Sequence, residues 1–162
     1  MTLSTALAID LDLQPMIISS ELLGPLEAQA EELFHFPQGL FGFPDCEQFV
    51  LVGAERPGLY WLQSLDLSAL TFLAVDPFLY FDGYSVDLPN FELRELDVAA
   101  PDDVLVLAIV TLPPSRSKPP TANLQGPLAL NVRSRMAKQI VLQGDEHGTR
   151  CPFDLEPTNP KP

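Results

Sequence analysis

The sequence predicts a mainly β fold: one single-domain, barrel-like antiparallel β-structure with at most one or two short helices. Three observations predict it. Seventeen prolines in 162 residues cut the chain into short segments and leave little room for long helices. The apolar segments between them either alternate with polar residues or run unbroken, the two patterns of half-buried and fully buried strands. Helix-period apolar patterning is confined to one short segment. With 46% apolar and 19% charged residues, a chain of this length can bury one core without disulfides or metals.

In chain order, residues 1–15 read as a leader, 16–153 as the β-domain and 154–162 as a proline-rich tail. Residues 16–23 form the first strand, turned by Gly24-Pro25, and residues 26–28 return. Residues 33–36 are a short strand. The loop after it uses Gly39 and Gly42 to reach positive φ, and Leu40, Phe41 and Phe43 plug one end of the barrel. Residues 48–52 and 59–64 flank a turn at Pro57-Gly58, and residues 71–75 make a strand that ends at Asp76-Pro77. The aromatic-rich stretch 78–84 is interrupted by Asp82-Gly83. Residues 88–96 form a helix with Asp87 as N-cap, Pro89 in the first turn, and Leu93 and Leu96 facing inward. Residues 104–111 are an unbroken apolar run, a strand buried on both faces. Residues 113–120 hold four prolines in a stiff exposed loop. Leu128, Leu130 and Val132, then Met136, Ile140 and Leu142, occupy the inward faces of two strands joined at Arg133-Ser134-Arg135. From Cys151 onward no structure is expected.

A net charge of −13 excludes direct nucleic-acid binding, because phosphate backbones are repelled. It suits a basic protein partner instead. The charge is uneven. Residues 1–55 hold nine acidic and no basic residues, whereas residues 112–143 hold five basic and no acidic ones. Cys46 and Cys151 are the only cysteines, and nothing in the pattern suggests an oxidising compartment, so free thiols are expected. No apolar run is long enough to span a membrane, no secretory signal appears, and a cytoplasmic location follows as the expectation.

Catalytic chemistry finds no footing. His35 and His147 lack any metal partner at ligand spacing, and no G-x-S-x-G or phosphate-cradling glycine loop occurs. No catalytic residue, metal or cofactor is assigned. The residues alone still leave open a small-molecule-binding or catalytic β-barrel with Ser64, His35 or Asp76 at its mouth.

Several segments, taken in order, resemble one family. They are Phe36-Pro37-Gln38-Gly39-Leu40-Phe41-Gly42-Phe43, Leu62-Gln63-Ser64, Phe72 with Asp76-Pro77, and Tyr84 with Asp87-Leu88. The series continues with Ala122-Asn123-Leu124-Gln125-Gly126-Pro127 and residues 137–142. The chain is similar to the flagellar assembly factor family, FliW, over nearly the whole domain. The resemblance implies a compact, barrel-like β-domain and a regulator rather than an enzyme. Proteins of this kind bind flagellin in the cytoplasm, as a chaperone does. They also bind the RNA-binding translational regulator CsrA and relieve its repression of flagellin translation. For this chain, Tyr80, Asp82, Tyr84 and Asp87 are the expected partner-binding residues, because they mix aromatic anchors with steering carboxylates. Phe78 and Phe81 are expected in the core, and Asn123 and Gln139 are expected to tie loops and strands together by hydrogen bonds.

Overall fold

The computed structural model describes residues 15–155; the leader 1–14 and the tail from 156 lie outside the described residues. Strands β1 (Met16–Ile18) and β2 (Leu26–Ala28) pair as a separate antiparallel ribbon. The first strand is shorter than the sequence suggests, because Ser20 turns the chain early. Its Oγ accepts from Leu23 N and its carbonyl from Gly24 N.

The main sheet is antiparallel. It contains β3 (Leu33–His35), β4 (Gln48–Gly53), β5 (Leu59–Ser64), β6 (Thr71–Val75), β7 (Val104–Thr111), β8 (Thr121–Ala122), β9 (Leu128–Asn131), β10 (Ala137–Gln139) and β11 (Cys151–Pro152). Its path runs β10-β9-β7-β6-β5-β4-β3. The long strand β7 pairs β6 along one edge, and on the other edge gives its first half to β9 and its end to β8. The sheet curls until its outermost strands meet, but the seam is one isolated parallel bridge, His35 to Met136, and not a full ladder. One backbone bond, His35 N to Arg135 O at 2.9 Å, accompanies it. The fold is barrel-like without being a closed barrel.

Period-two alternation explains the curl. Phe34, Phe49, Leu51, Leu62, Ala74, Leu107, Leu128, Leu130 and Ala137 all turn to one shared interior, with Phe36, Leu40 and Cys46 closing it. The opposite faces are apolar too and receive three separate covers. The β1–β2 ribbon lies over Val50. Helix α1 (Pro77–Tyr80), with Phe153, covers Leu59, Leu73, Val75, Ala108 and Val110. Leu96, at the end of helix α2 (Asn90–Glu95), covers Ala129, Ile140 and Leu142.

Several expectations are corrected. Phe41 does not plug the interior and stands exposed, while Leu40 is buried and Phe43 partly so. Val132 is exposed rather than inward, and Ala129 and Asn131 are buried because the α2 segment covers the outer face there; in the β10 segment the expected facing is reversed, with Ala137 in the interior and Met136, Ile140 and Leu142 in the outer cluster around Leu96. Cys151 and Pro152 form a strand against β8, and Phe153 is buried, so this stretch belongs to the fold although no structure was expected from Cys151 onward. Helix α2 begins after Pro89, and Asp87 is not its cap. Both cysteines are free thiols.

The glycines of the 36–43 loop give a sharp test. Gly39 has φ 65°, and a Cβ there would sit 2.4 Å from the Phe43 carbonyl oxygen. Gly42 has φ 89° with nothing within 4 Å. In urea unfolding, Gly39→Ala is expected to cost about 2–4 kcal/mol, from a main-chain clash added to φ strain. Gly42→Ala should cost only about 1 kcal/mol, from strain alone.

Candidate protein-binding site

The distinctive face lies where the chain leaves β6. Asp76 is the N-cap of α1: it has extended φ/ψ, and its Oδ1 accepts from Phe78 N at 2.9 Å, with Pro77 in the first turn. The helix lasts four residues and swings Phe78 outward and Tyr80 inward. Phe78 is 44% exposed, against the expected core position. Tyr80 is 2% exposed, and its hydroxyl donates to Pro57 O at 2.7 Å. Tyr80 therefore supports the face from beneath and offers no surface to a partner. Phe81 packs on Phe153, as expected of a core residue.

Asp82 and Asp87 are exposed and Tyr84 half-buried. The Tyr84 ring meets Phe78 edge-on, centroids 4.8 Å apart, and lies 5.7 Å from the His147 ring. Its hydroxyl is buried without a hydrogen-bond partner. Burial first, and the charge of Asp76 second, push this phenol up to about 12. The same two causes, burial first and the charge of Asp76 second, raise Tyr60.

Beyond Asp87 the α2 segment is latched to β10. Lys138 Nζ donates to the nearly buried Glu92 and, at 2.8 Å, to Glu95. Burial pulls the Lys138 ammonium down, but both glutamates outweigh it and the net shift is upward. The covers provided by α1 and α2 meet over the outer face of β7, where Val106 is buried and Val104 half-buried against the Leu96 cluster. A groove of about 650 Å³ runs there, walled by Phe78, Val86, Leu88, Leu93, Val98, Val104 and Val106, with Asp76 and Asp87 among its lining.

These features sit on a fold with known relatives. The chain matches the family described as FliW protein over residues 17–153. It is 41% identical over 135 residues to the flagellar assembly factor FliW of Treponema pallidum (strain Nichols), covering 83% of this chain and 89% of the relative. The FliW of Moorella thermoacetica is 40% identical over 136 residues, covering 83% and 86%. A crystal structure of the flagellar assembly factor FliW superposes with a TM-score of 0.77 at 33% identity, covering 85% of this chain and 96% of that one. The chain belongs to the FliW family.

Among the residues that carried the resemblance, Gln139 and Asn123 are scaffold in this FliW chain. Gln139 Oε1 accepts from Phe41 N and its Nε2 donates to Gly126 O, while Asn123 Oδ1 accepts from Gln125 N and Gly126 N. Gln139 thus fastens the 36–43 loop and the 123–127 turn to β10, and Asn123 closes that turn on itself. The candidates for a barrel mouth are dispersed. Ser64 is buried and its Oγ accepts from Asp66 N and Leu67 N. His35 Nε2 meets Glu47 Oε1 at 3.0 Å. Strand register puts Asp76 beside Gly58, at the opposite end of β5 from Ser64. The interior they would open into is filled by Phe36, Phe49, Leu62, Leu107, Leu128 and Leu130.

Sequence reasoning missed helix α1, the groove and the lysine latch. The first had a signal: Asp-Pro before an aromatic run is a helix start as well as a strand end. Glu92 and Glu95, three apart on one helical face, hinted at the latch, but their cation lies 43 or more residues away.

Two outcomes follow. Lys138→Ala leaves Glu92 buried without its cation and is expected to lower stability in urea by about 3 kcal/mol, with Lys138→Met plus Glu92→Leu recovering most of it. In alkaline titration followed by phenolate absorbance, Tyr84 ionises near pH 12. Its folded value lies above the unfolded value of about 10, so its contribution to stability is complete below that pH and is lost as pH rises through the folded value. Tyr84→Phe removes this step.

Proposed function

We propose that this FliW chain is a cytoplasmic, non-catalytic regulator that binds flagellin as a chaperone and, in alternation, binds the RNA-binding regulator CsrA and relieves its repression of flagellin translation. Flagellin accumulating before secretion occupies the factor and frees the regulator to silence the message again. The observation that carries the reading is family membership over nearly the whole domain, joined to an acidic aromatic face on a −13 protein. An RNA-binding protein must expose cationic surface to phosphates, and a strongly acidic protein can dock beside that surface and change its affinity for RNA without touching RNA. Asp82 and Asp87 supply steering charge, Tyr84 and Phe78 the apolar contact, and buried Tyr80 the support behind them. A filled interior weighs against a small-molecule reading, since a ligand would have to displace packed side chains.

Calorimetric titration with flagellin and, separately, with CsrA from the same cell tests this. Binding to the regulator should weaken with salt and be abolished by saturating flagellin. Asp82→Lys and Asp87→Lys should each weaken regulator binding about tenfold at low salt, about 1.4 kcal/mol. Unchanged affinity in both variants removes this face from the interface, and no binding to either protein overturns the reading.

A further inference from the structure

The loop between β7 and β8 carries a charge pattern that the acidic face does not explain. Residues 112–143 hold five cations and no acidic residue in a chain of net charge −13. Three of the five are engaged within the fold. Arg133 donates to the Asp97 carbonyl and to Asp103, Arg135 lies over the Phe34 ring, and Lys138 holds Glu92 and Glu95. The other two, Arg116 and Lys118, are exposed, and among the described residues neither has an ion pair or a ring contact. Both line an open groove of about 590 Å³, whose apolar part is made by Pro119, Pro120, Pro152, Phe153 and Leu155. The one carboxylate in the lining, Asp154, has an interaction of its own.

This groove is held in shape. Thr111 pairs with Thr121 across the base of the loop, and four of the eight residues 113–120 are prolines with fixed φ. Lys118 N donates to Ser115 O at 3.3 Å and Ser117 N to Ser115 Oγ at 3.2 Å, which closes the tip as a turn. Phe153 N donates to Pro120 O at 3.1 Å, and its ring packs on Tyr80 and Phe81, so the floor is fixed to the body of the fold. A site formed in advance loses little conformational freedom on binding. Cations beside an apolar floor match an acidic peptide segment that also carries an apolar side chain. Arg116 offers a planar donor fork for a carboxylate and Lys118 a second charge.

We infer that this groove seats an acidic segment of a protein partner, with its carboxylates on Arg116 and Lys118 and an apolar side chain on Pro120, Pro152 and Phe153. The inference rests on the partner reading above, and within that reading it assigns the groove to flagellin. A basic RNA-binding regulator is attracted to Asp82 and Asp87 and repelled by two exposed cations. Phe153 touches Phe81, the chain neighbour of Asp82, so a protein-sized occupant of the groove extends over the acidic face. Alternation between the two partners then needs no conformational switch. It follows from two adjacent surfaces of opposite sign.

The test is calorimetric titration of flagellin, and separately of CsrA, into the full chain and three variants at exposed positions. These are Arg116→Glu, Arg116→Glu combined with Lys118→Glu, and Arg94→Glu on α2, a control for net charge outside the groove. Circular dichroism and thermal melts establish that each variant is folded. At low salt, flagellin affinity is expected to fall about fivefold in the single loop variant and about thirtyfold in the double, with both losses shrinking as salt is added. Arg94→Glu should leave flagellin affinity unchanged, and no variant should weaken CsrA binding. Wild-type flagellin affinity in the double variant overturns the groove and leaves the partner reading intact. An equal loss in Arg94→Glu overturns the local contact in favour of net charge. Sedimentation at low salt and titration with single-stranded RNA test the other occupants: self-association or RNA binding that disappears in the double variant overturns the assignment to flagellin. No flagellin binding by the wild-type chain overturns both the groove and the reading it rests on.

Discussion

A shared interior governs this molecule. Each main strand turns alternate side chains into it, and this commits the intervening residues to the outer face. In β4, β5, β6, β7 and β9 many of those outer residues are apolar as well. Leaving them in water would forfeit about 25 cal/mol per Å² of apolar surface, so the outside of the sheet needs cover. The β1–β2 ribbon, α1 with the Phe153 segment, and the α2 segment are that cover. Elements that look peripheral in a list of strands are therefore part of the core's logic.

Covering a curved sheet with three separate pieces leaves joints between them. The joint between α1 and α2 falls over the first half of β7, and the chain crossing it carries Asp82, Tyr84 and Asp87. One boundary is pinned by Asp76 through the cap of α1, and the other by Lys138 through two glutamates. Short helices have little stability of their own, so these few polar contacts, with the apolar residues beneath, fix where the covers stop. The position of the joint is thus a consequence of packing, and the acidic residues along it give it a sign.

Electrostatics act on the two levels separately. The exposed carboxylates contribute field, long-range and screened by salt. Nearly buried Asp76 acts at short range on Tyr84 and Tyr60, adding to the burial that is the main reason both phenols resist ionisation. At the other end of the curl, the sheet edges are joined by little more than His35, Met136 and the Arg135 guanidinium over the Phe34 ring at 5.0 Å. Interior packing, rather than a continuous ladder, holds that seam.

The sequence by itself determined the β class, the positions of most strands, and the family. Those depend on local signals: alternation in 59–64, the unbroken run 104–111, and the glycines and prolines that end segments. The polar ties of Asn123 and Gln139 were legible for the same reason, since a polar residue in a buried stretch must find a partner. Only the tertiary structure decided which face of an aromatic run meets water, so Tyr80 and Phe78 exchange the expected roles. It also decided that Phe41 is outside, that Cys151 and Phe153 belong to the fold, and that a groove opens beside Asp76. Each of these depends on where a distant cover begins and ends. That is set by packing between segments far apart in the chain, for which no local pattern carries a signal.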